Sequence, residues 1–186
     1  MMKLRAPSFW LGLALGGMAV VVALWLPYVN WRRVVDPVAT ASLVIRHDAK
    51  GDGQFGAPRS GNRRHRGVDL SAPLNTPVRA IRSGTVVEAG THRGLGRFVQ
   101  VKHQNKLRSL YAHLNEVTVQ PGERVRQGEQ IGTVGKTGNA KHPSVTPHLH
   151  LEVSKNGKSF DPQALGLRIV ELPVGPEDTS YASGGE

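Results

Sequence analysis

The chain has 186 residues, with 24 Lys and Arg against 14 Asp and Glu, eight His and no Cys. That length suits one domain of ordinary size with appendages. The absence of cysteine excludes a disulfide scaffold, Cys-ligated zinc, iron–sulfur clusters and thiol catalysis. The net charge of +10 is unevenly placed: residues 42–166 hold nineteen basic against nine acidic side chains, and residues 167–186 hold one against four. The basic middle segment points to an acidic partner such as nucleic acid, anionic lipid or an envelope polymer. Nucleic acid is disfavoured, because aromatics are 5% and no stacking platform or groove-entering motif is present.

Phe9 to Leu26 is eighteen residues without a charge, inside an uncharged stretch from Ala6 to Trp31. About 20 apolar residues span a bilayer as a helix, so residues 1–29 are expected to be an N-terminal transmembrane anchor. Lys3 and Arg5 favour a cytoplasmic N-terminus, whereas Arg32 and Arg33 oppose that vote; Trp10, Trp25, Tyr28 and Trp31 sit where amphipathic rings collect. The rival is a cleaved signal peptide, but its small-residue site, Ala39-Thr40-Ala41, lies far beyond Leu26. Residues 30–50 read as a linker, which at about 20 flexible residues reaches on the order of 25 Å.

From residue 51 to 167 short β-branched or alternating runs are cut by turn residues. Examples are Pro77 to Ile81, Thr85 to Val87, Phe98 to Val101, Val117 to Val119 and His148 to Val153, with turns at Ser83-Gly84, Pro121-Gly122, Gln127-Gly128 and Asn156-Gly157. No stretch keeps a helical period over three turns. Many short strands with regular turn signals predict an all-β domain, an antiparallel sandwich or partly open barrel. Residues 168–186 read as a flexible Gly/Ser/Glu-rich tail.

His148-Leu149-His150 places two imidazoles two apart. On a strand both rings face one side, while Leu149 and Leu151 face the other. His65 and Asp69 lie four apart. A hydrolytic zinc site takes three protein ligands and leaves the fourth position for water, and His65, Asp69 and one of His148 or His150 make such a set.

The stretch from Phe55 to about Leu165 resembles the lysostaphin-type (LytM-type) zinc endopeptidases of peptidase family M23, which cut peptidoglycan. The resemblance rests on Phe55-Gly56-Ala57-Pro58-Arg59, His65-Arg66-Gly67-Val68-Asp69-Leu70, Thr76-Pro77-Val78, Leu110-Tyr111-Ala112-His113-Leu114, Pro147-His148-Leu149-His150-Leu151-Glu152 and Asp161-Pro162, in unbroken order. It implies the family's all-β fold and one zinc ion per chain, held by His65, Asp69 and His150. It makes His113 and His148 catalytic, and of these we assign His148 to orienting water and His113 to stabilising the oxyanion. Two departures stand out: a longer loop from Asn139 to Pro147 containing His142, and Leu151 where phenylalanine is usual.

With no His-Glu-x-x-His motif, the base must come from these histidines. Arg59 and Arg66 suit the carboxylates of stem peptides, and His142 is a candidate to line the substrate groove. The expected protein is a single-pass inner-membrane enzyme, held by residues 9–26 with its catalytic domain outside the cytoplasm. The alternatives are a catalytically silent module that binds the wall and activates another hydrolase, and a cargo or phosphocarrier domain.

Overall fold

The computed structural model describes residues 24–171, together with Val20 and Val22. Fifteen strands follow in chain order. The first six are β1 (Leu43–Val44), β2 (His47–Asp48), β3 (Gly51–Asp52), β4 (Pro58–Arg59), β5 (Arg63–Arg64) and β6 (Val68–Ser71). Then come β7 (Pro77–Arg79), β8 (Gly84–His92), β9 (Gly96–Lys102), β10 (Leu107–Val117) and β11 (Arg124–Val125). The last four are β12 (Gln130–Val134), β13 (His148–Lys155), β14 (Lys158–Phe160) and β15 (Ile169–Val170). From residue 34 to 170 the helical pieces are single 3₁₀ turns.

Nine strands form one antiparallel sheet in the order β11-β8-β9-β10-β12-β7, with β13 also on β10 and carrying β6 and β14. The sheet therefore forks at β10. Its first half pairs with β13, from Leu107↔Lys155 to Ala112↔His150, and its end pairs with β12, beginning at Leu114↔Val134. Between the two halves His113 takes φ +62°, a left-handed backbone that non-glycine residues rarely adopt. The register against β9 also breaks between Tyr111 and Leu114. A bulge of this kind re-aims a side chain, here at the mouth of the fork.

The core is built from β-branched and leucine side chains, with Leu70, Val78, Ile81, Val99, Leu114, Ile131, Leu149 and Leu151 fully buried. Tyr111 joins them because its hydroxyl accepts the Ile81 N–H at 2.8 Å. Strands β6 and β13 bury both faces: Val68, Leu70, Leu149 and Leu151 join the core, and the residues alternating with them are left for a polar cluster.

Residues 30–50 differ from the expected linker. Val38, Leu43 and Ile45 are buried. Val35 N–H bonds the Ile81 carbonyl, Arg79 N–H bonds the Pro37 carbonyl, and Ala39 N–H bonds the Pro77 carbonyl. This segment covers β7, the strand that ends one side of the sheet order, and so satisfies an edge that would otherwise be bare. Even Asn30 is tied in, accepting Ser83 N–H at 2.7 Å. The segment resembles a spacer in sequence because the contacts that dock it on β7 are with distant residues, and a short covering strand has no periodicity of its own. The first residues of the expected tail are ordered too, since β15 pairs in parallel with β1. The Val117 to Val119 run is not one strand, because β10 ends at Val117.

The proposed span Phe9–Leu26 lies almost wholly outside the described residues, as does the tail beyond Glu171. Among the described residues no helix is long and apolar enough to cross a membrane.

Candidate metal centre

The cluster is made by strand register. β6 and β13 pair with His150 directly opposite Asp69, so the carboxylate and the imidazole are cross-strand neighbours. His148 lies two residues back on the same face of β13, and His65 enters from the turn before β6. Gly67 makes the approach possible: a Cβ there would stand 2.2 Å from the Leu151 carbonyl oxygen.

Three donor atoms converge. His150 Nδ1 is 2.8 Å from Asp69 Oδ1, His65 Nε2 is 3.0 Å from His150 Nδ1, and His65 Nε2 is 3.2 Å from Asp69 Oδ1. All three residues are buried, and they form the group of metal-competent side chains found among the described residues. Lone pairs this close repel unless a proton or cation sits among them. The ligand-to-ligand edge of a tetrahedral zinc site is about 3.3 Å, so the donor set fits a metal after small outward shifts.

The surroundings prepare the donors. His65 Nδ1 donates to the Gln54 carbonyl at 2.7 Å, which leaves Nε2 as a bare lone pair. His150 turns Nε2 to Glu152 Oε1 at 3.2 Å. Asp69 gives its other oxygen, Oδ2, to Arg46 at 2.9 Å and to Arg59 at 3.4 Å. Burial alone pushes the Asp69 carboxyl up, but the hydrogen bond from His150 Nδ1–H and the charge on that ring hold it well below its ordinary value. Burial likewise disfavours charge on His150, yet Asp69 and Glu152 raise it to about 9. The pocket thus asks for positive charge where the donors meet.

His113 and His148 stand beside this set without joining it. Their ring centroids are 5.0 Å apart, and His148 Nε2 is 3.9 Å from Asp69 Oδ1. His113 Nδ1 donates to the Thr137 carbonyl at 2.9 Å and His148 Nδ1 donates to the Thr146 carbonyl at 2.7 Å. Burial pushes His113 down to about 3, and its neighbours His148 and His150 add to that shift. Burial lowers His148 as well, against the pull of Asp69. Both rings are therefore neutral, with Nε2 free to accept.

The basic residues expected to meet substrate fall differently. Arg59 is half-buried and spent on Asp69 and on the Asp52 carbonyl, so it orients the Asp69 carboxylate. Arg66 is exposed, within 3.3 Å of Ser159 Oγ and 3.8 Å of Glu152 Oε2. His142 is exposed and accepts the Ser144 N–H through Nδ1. Sequence reasoning missed Arg46 and Glu152. Glu152 was findable, since it continues the 148, 150, 152 alternation of β13; Arg46 carried no local signal.

Buried histidines and one carboxylate around a shared point, with two neutral imidazoles alongside, make the donor set of a metal-dependent hydrolase. The match to the model of peptidase family M23 covers residues 63–162, and the chain belongs to that family. It is 42% identical over 110 residues to the DD-carboxypeptidase/endopeptidase Mpg of Neisseria meningitidis, covering 59% of this chain and 24% of that protein. Against the peptidoglycan DD-endopeptidase ShyC of Vibrio cholerae it is 40% identical over 118 residues, covering 63% and 25%. The chain thus spans about a quarter of the length of these relatives. The catalytic domain of lysostaphin from Staphylococcus simulans aligns with a TM-score of 0.55 at 34% identity, over 62% of this chain and 90% of that domain. The all-β fold is thus shared with the lysostaphin-type peptidases.

Proposed function

We propose that the protein is a zinc endopeptidase that hydrolyses peptide bonds of peptidoglycan. The observation that carries the reading is the convergence of His65, Asp69 and His150 beside two neutral histidines, in a chain whose relatives are named for peptidoglycan DD-endopeptidase activity. Zinc held by those three residues would supply Lewis acidity and lower the pKa of water toward 7.

The protein's own groups do the proton work. His148, the nearer of the two to the metal-binding carboxylate, offers an unprotonated Nε2 and takes the proton of the attacking water. Its Nδ1–H stays on Thr146, so the ring cannot flip to the other tautomer without losing a buried hydrogen bond. His113 sits across from it on the strained bulge. Its neutral Nε2 becomes a donor to the developing oxyanion only on taking up a proton, which the attacking water supplies by way of His148 Nε2. The amide nitrogen leaves with a proton returned from one of these rings. The silent-module alternative is not favoured, because every donor position is filled.

The membrane belongs to the same proposal. Residues 9–26 anchor the chain in the cytoplasmic membrane, and the domain faces outward, where peptidoglycan lies. In support, Leu24, Trp25, Leu26 and Trp31 are exposed, and the Arg124 guanidinium stacks 4.2 Å over Trp25 and 3.8 Å over Tyr28. Aromatic rings and arginines together are typical of a membrane interface.

Digestion of purified sacculi by the zinc-loaded protein, with mass spectrometry of the products, tests the activity. Intact sacculi after prolonged digestion would remove it. For the location, a C-terminal alkaline phosphatase fusion should be active and a C-terminal green fluorescent protein fusion dark; the opposite pair would place the domain in the cytoplasm.

A further inference from the structure

Asp48 ends β2, before the residues matched to the family model, and its side chain is 7% exposed. Each of its oxygens has a separate task. Oδ1 lies 2.5 Å from Arg46 Nη1 and accepts the Lys50 N–H at 2.9 Å. Oδ2 accepts the Thr146 N–H at 2.9 Å and approaches the Thr146 hydroxyl at 3.3 Å.

Two paths lead on from there to the metal centre. Arg46 carries the first, since its Nη2 donates to Asp69 Oδ2 at 2.9 Å and leaves Oδ1 turned toward the two histidine donors. Thr146 carries the second. The carbonyl of Thr146 accepts His148 Nδ1–H at 2.7 Å, and Asp48 holds the N–H of that same residue. The ring closes where His148 Nε2 comes within 3.9 Å of Asp69 Oδ1.

We infer that Asp48 is a positioning residue that fixes the metal-binding carboxylate and the His148 tautomer together. The physical need is clear at Thr146. The loop before β13 is largely solvent-facing, with Lys141, His142, Pro143, Ser144 and Thr146 exposed. A carbonyl on such a loop holds a catalytic ring in one tautomer only if its residue is itself held. On the other path, Arg46 is 4% exposed, and a guanidinium so buried leaves a costly uncompensated charge unless carboxylates flank it, here Asp48 and Asp69. One aspartate, through its two oxygens, therefore makes metal affinity and proton acceptance depend on the same side chain.

The inference rests on the zinc-endopeptidase reading, and its test separates the two. Zinc-loaded full-length protein is compared with Asp48→Asn, Arg46→Met and the double variant. Three quantities are read: zinc affinity by chelator competition, the histidine tautomers by long-range ¹H–¹⁵N correlation, and sacculus hydrolysis at saturating zinc. Asp48→Asn should weaken zinc about 10-fold or more, the effect typical of a lost outer partner. It should also convert His148 from a single Nδ1–H tautomer to a mixture and lower hydrolysis at saturating zinc about 10-fold. Arg46→Met should weaken zinc and leave the His148 tautomer as it is, and adding Asp48→Asn to it should then shift the tautomer.

An unchanged His148 tautomer in Asp48→Asn, or in the double variant relative to Arg46→Met, overturns the inference. Failure of the parent protein to bind zinc or open sacculi overturns the underlying reading instead. If the variants do not fold, amide exchange in the parent decides. The Thr146 N–H should exchange at least 10-fold more slowly than an open loop amide, and exchange at the open rate sinks the proposal.

Discussion

Asp69 divides its oxygens between opposite faces, one toward two imidazoles and one toward two guanidiniums. His65→Ala, Asp69→Ala or His150→Ala should each abolish stoichiometric zinc binding, measured by elemental analysis. His113→Ala and His148→Ala should keep the metal and lose hydrolysis. Full zinc in His150→Ala, or parental turnover in either of the others, contradicts the division into ligands and proton carriers. His103 supplies a separate residue-scale prediction. It is buried, with Nδ1 on the Ser83 carbonyl and Nε2 accepting from the Ser109 hydroxyl. Burial, against the Ser83 hydrogen bond, pushes it down to about 4 from an ordinary 6.5. The unfolded chain therefore takes up a proton before the folded one does. Stability from this group is intact above about pH 6.5 and falls as pH drops toward 4, by roughly 3 kcal/mol in all. His103→Gln should flatten that part of the acid limb in denaturant titrations at pH 7 and 4.5.

At the level of strands, the His-x-His pattern was legible because alternation is a property of any strand, and the structure places Leu149 and Leu151 in the core with the two rings opposite. The fork at β10 was not legible. Nothing in Tyr111-Ala112-His113-Leu114 announces a left-handed residue, since the bulge exists only because β13 and β12 pair with different halves of one strand. The partners of His65, His113 and His148 were hidden for a related reason: each is a backbone carbonyl, which any residue type supplies. Arg59 suggests a substrate contact in sequence because its carboxylate partner is a neighbour in space, ten residues away along the chain. Gly67 tests the strand geometry. Gly67→Ala drives a methyl into the Leu151 carbonyl, so β6 must move off β13 and separate Asp69 from His150. A cost of about 1–3 kcal/mol is expected, together with weaker zinc binding in chelator competition. Parental affinity in this variant would show that the register is not what assembles the donors.

For the whole molecule, the folded body begins well before residue 51. Removing residues up to 50 deletes Val38, Leu43 and Ile45 from the core and takes away both Arg46 and Asp48. Each buried aliphatic side chain is worth about 1.5–3 kcal/mol, so the loss is on the order of 5 kcal/mol. A chain of residues 51–171 should melt about 10 °C or more below one of residues 34–171 and bind zinc more weakly. Equal melting would return residues 34–50 to the status of a spacer. Because those residues are docked, the reach of about 25 Å expected of a flexible linker is lost. If residues 9–26 are in the membrane, the body rests near its surface, and the bonds within range are those of the innermost wall layer.

The parallel pairing of Leu43–Val44 with Ile169–Val170 has a bearing on the order of events during synthesis. The first strand of the body waits for the last, more than a hundred residues later, before its ladder can close. Contacts so far apart in sequence form slowly, whereas the Arg46 and Asp48 arm also bonds β6 nearby, Arg46 N–H to the Asp69 carbonyl. In a pulse-labelled refolding experiment, Leu43 and Val44 amides should gain protection after those of β9 and β10.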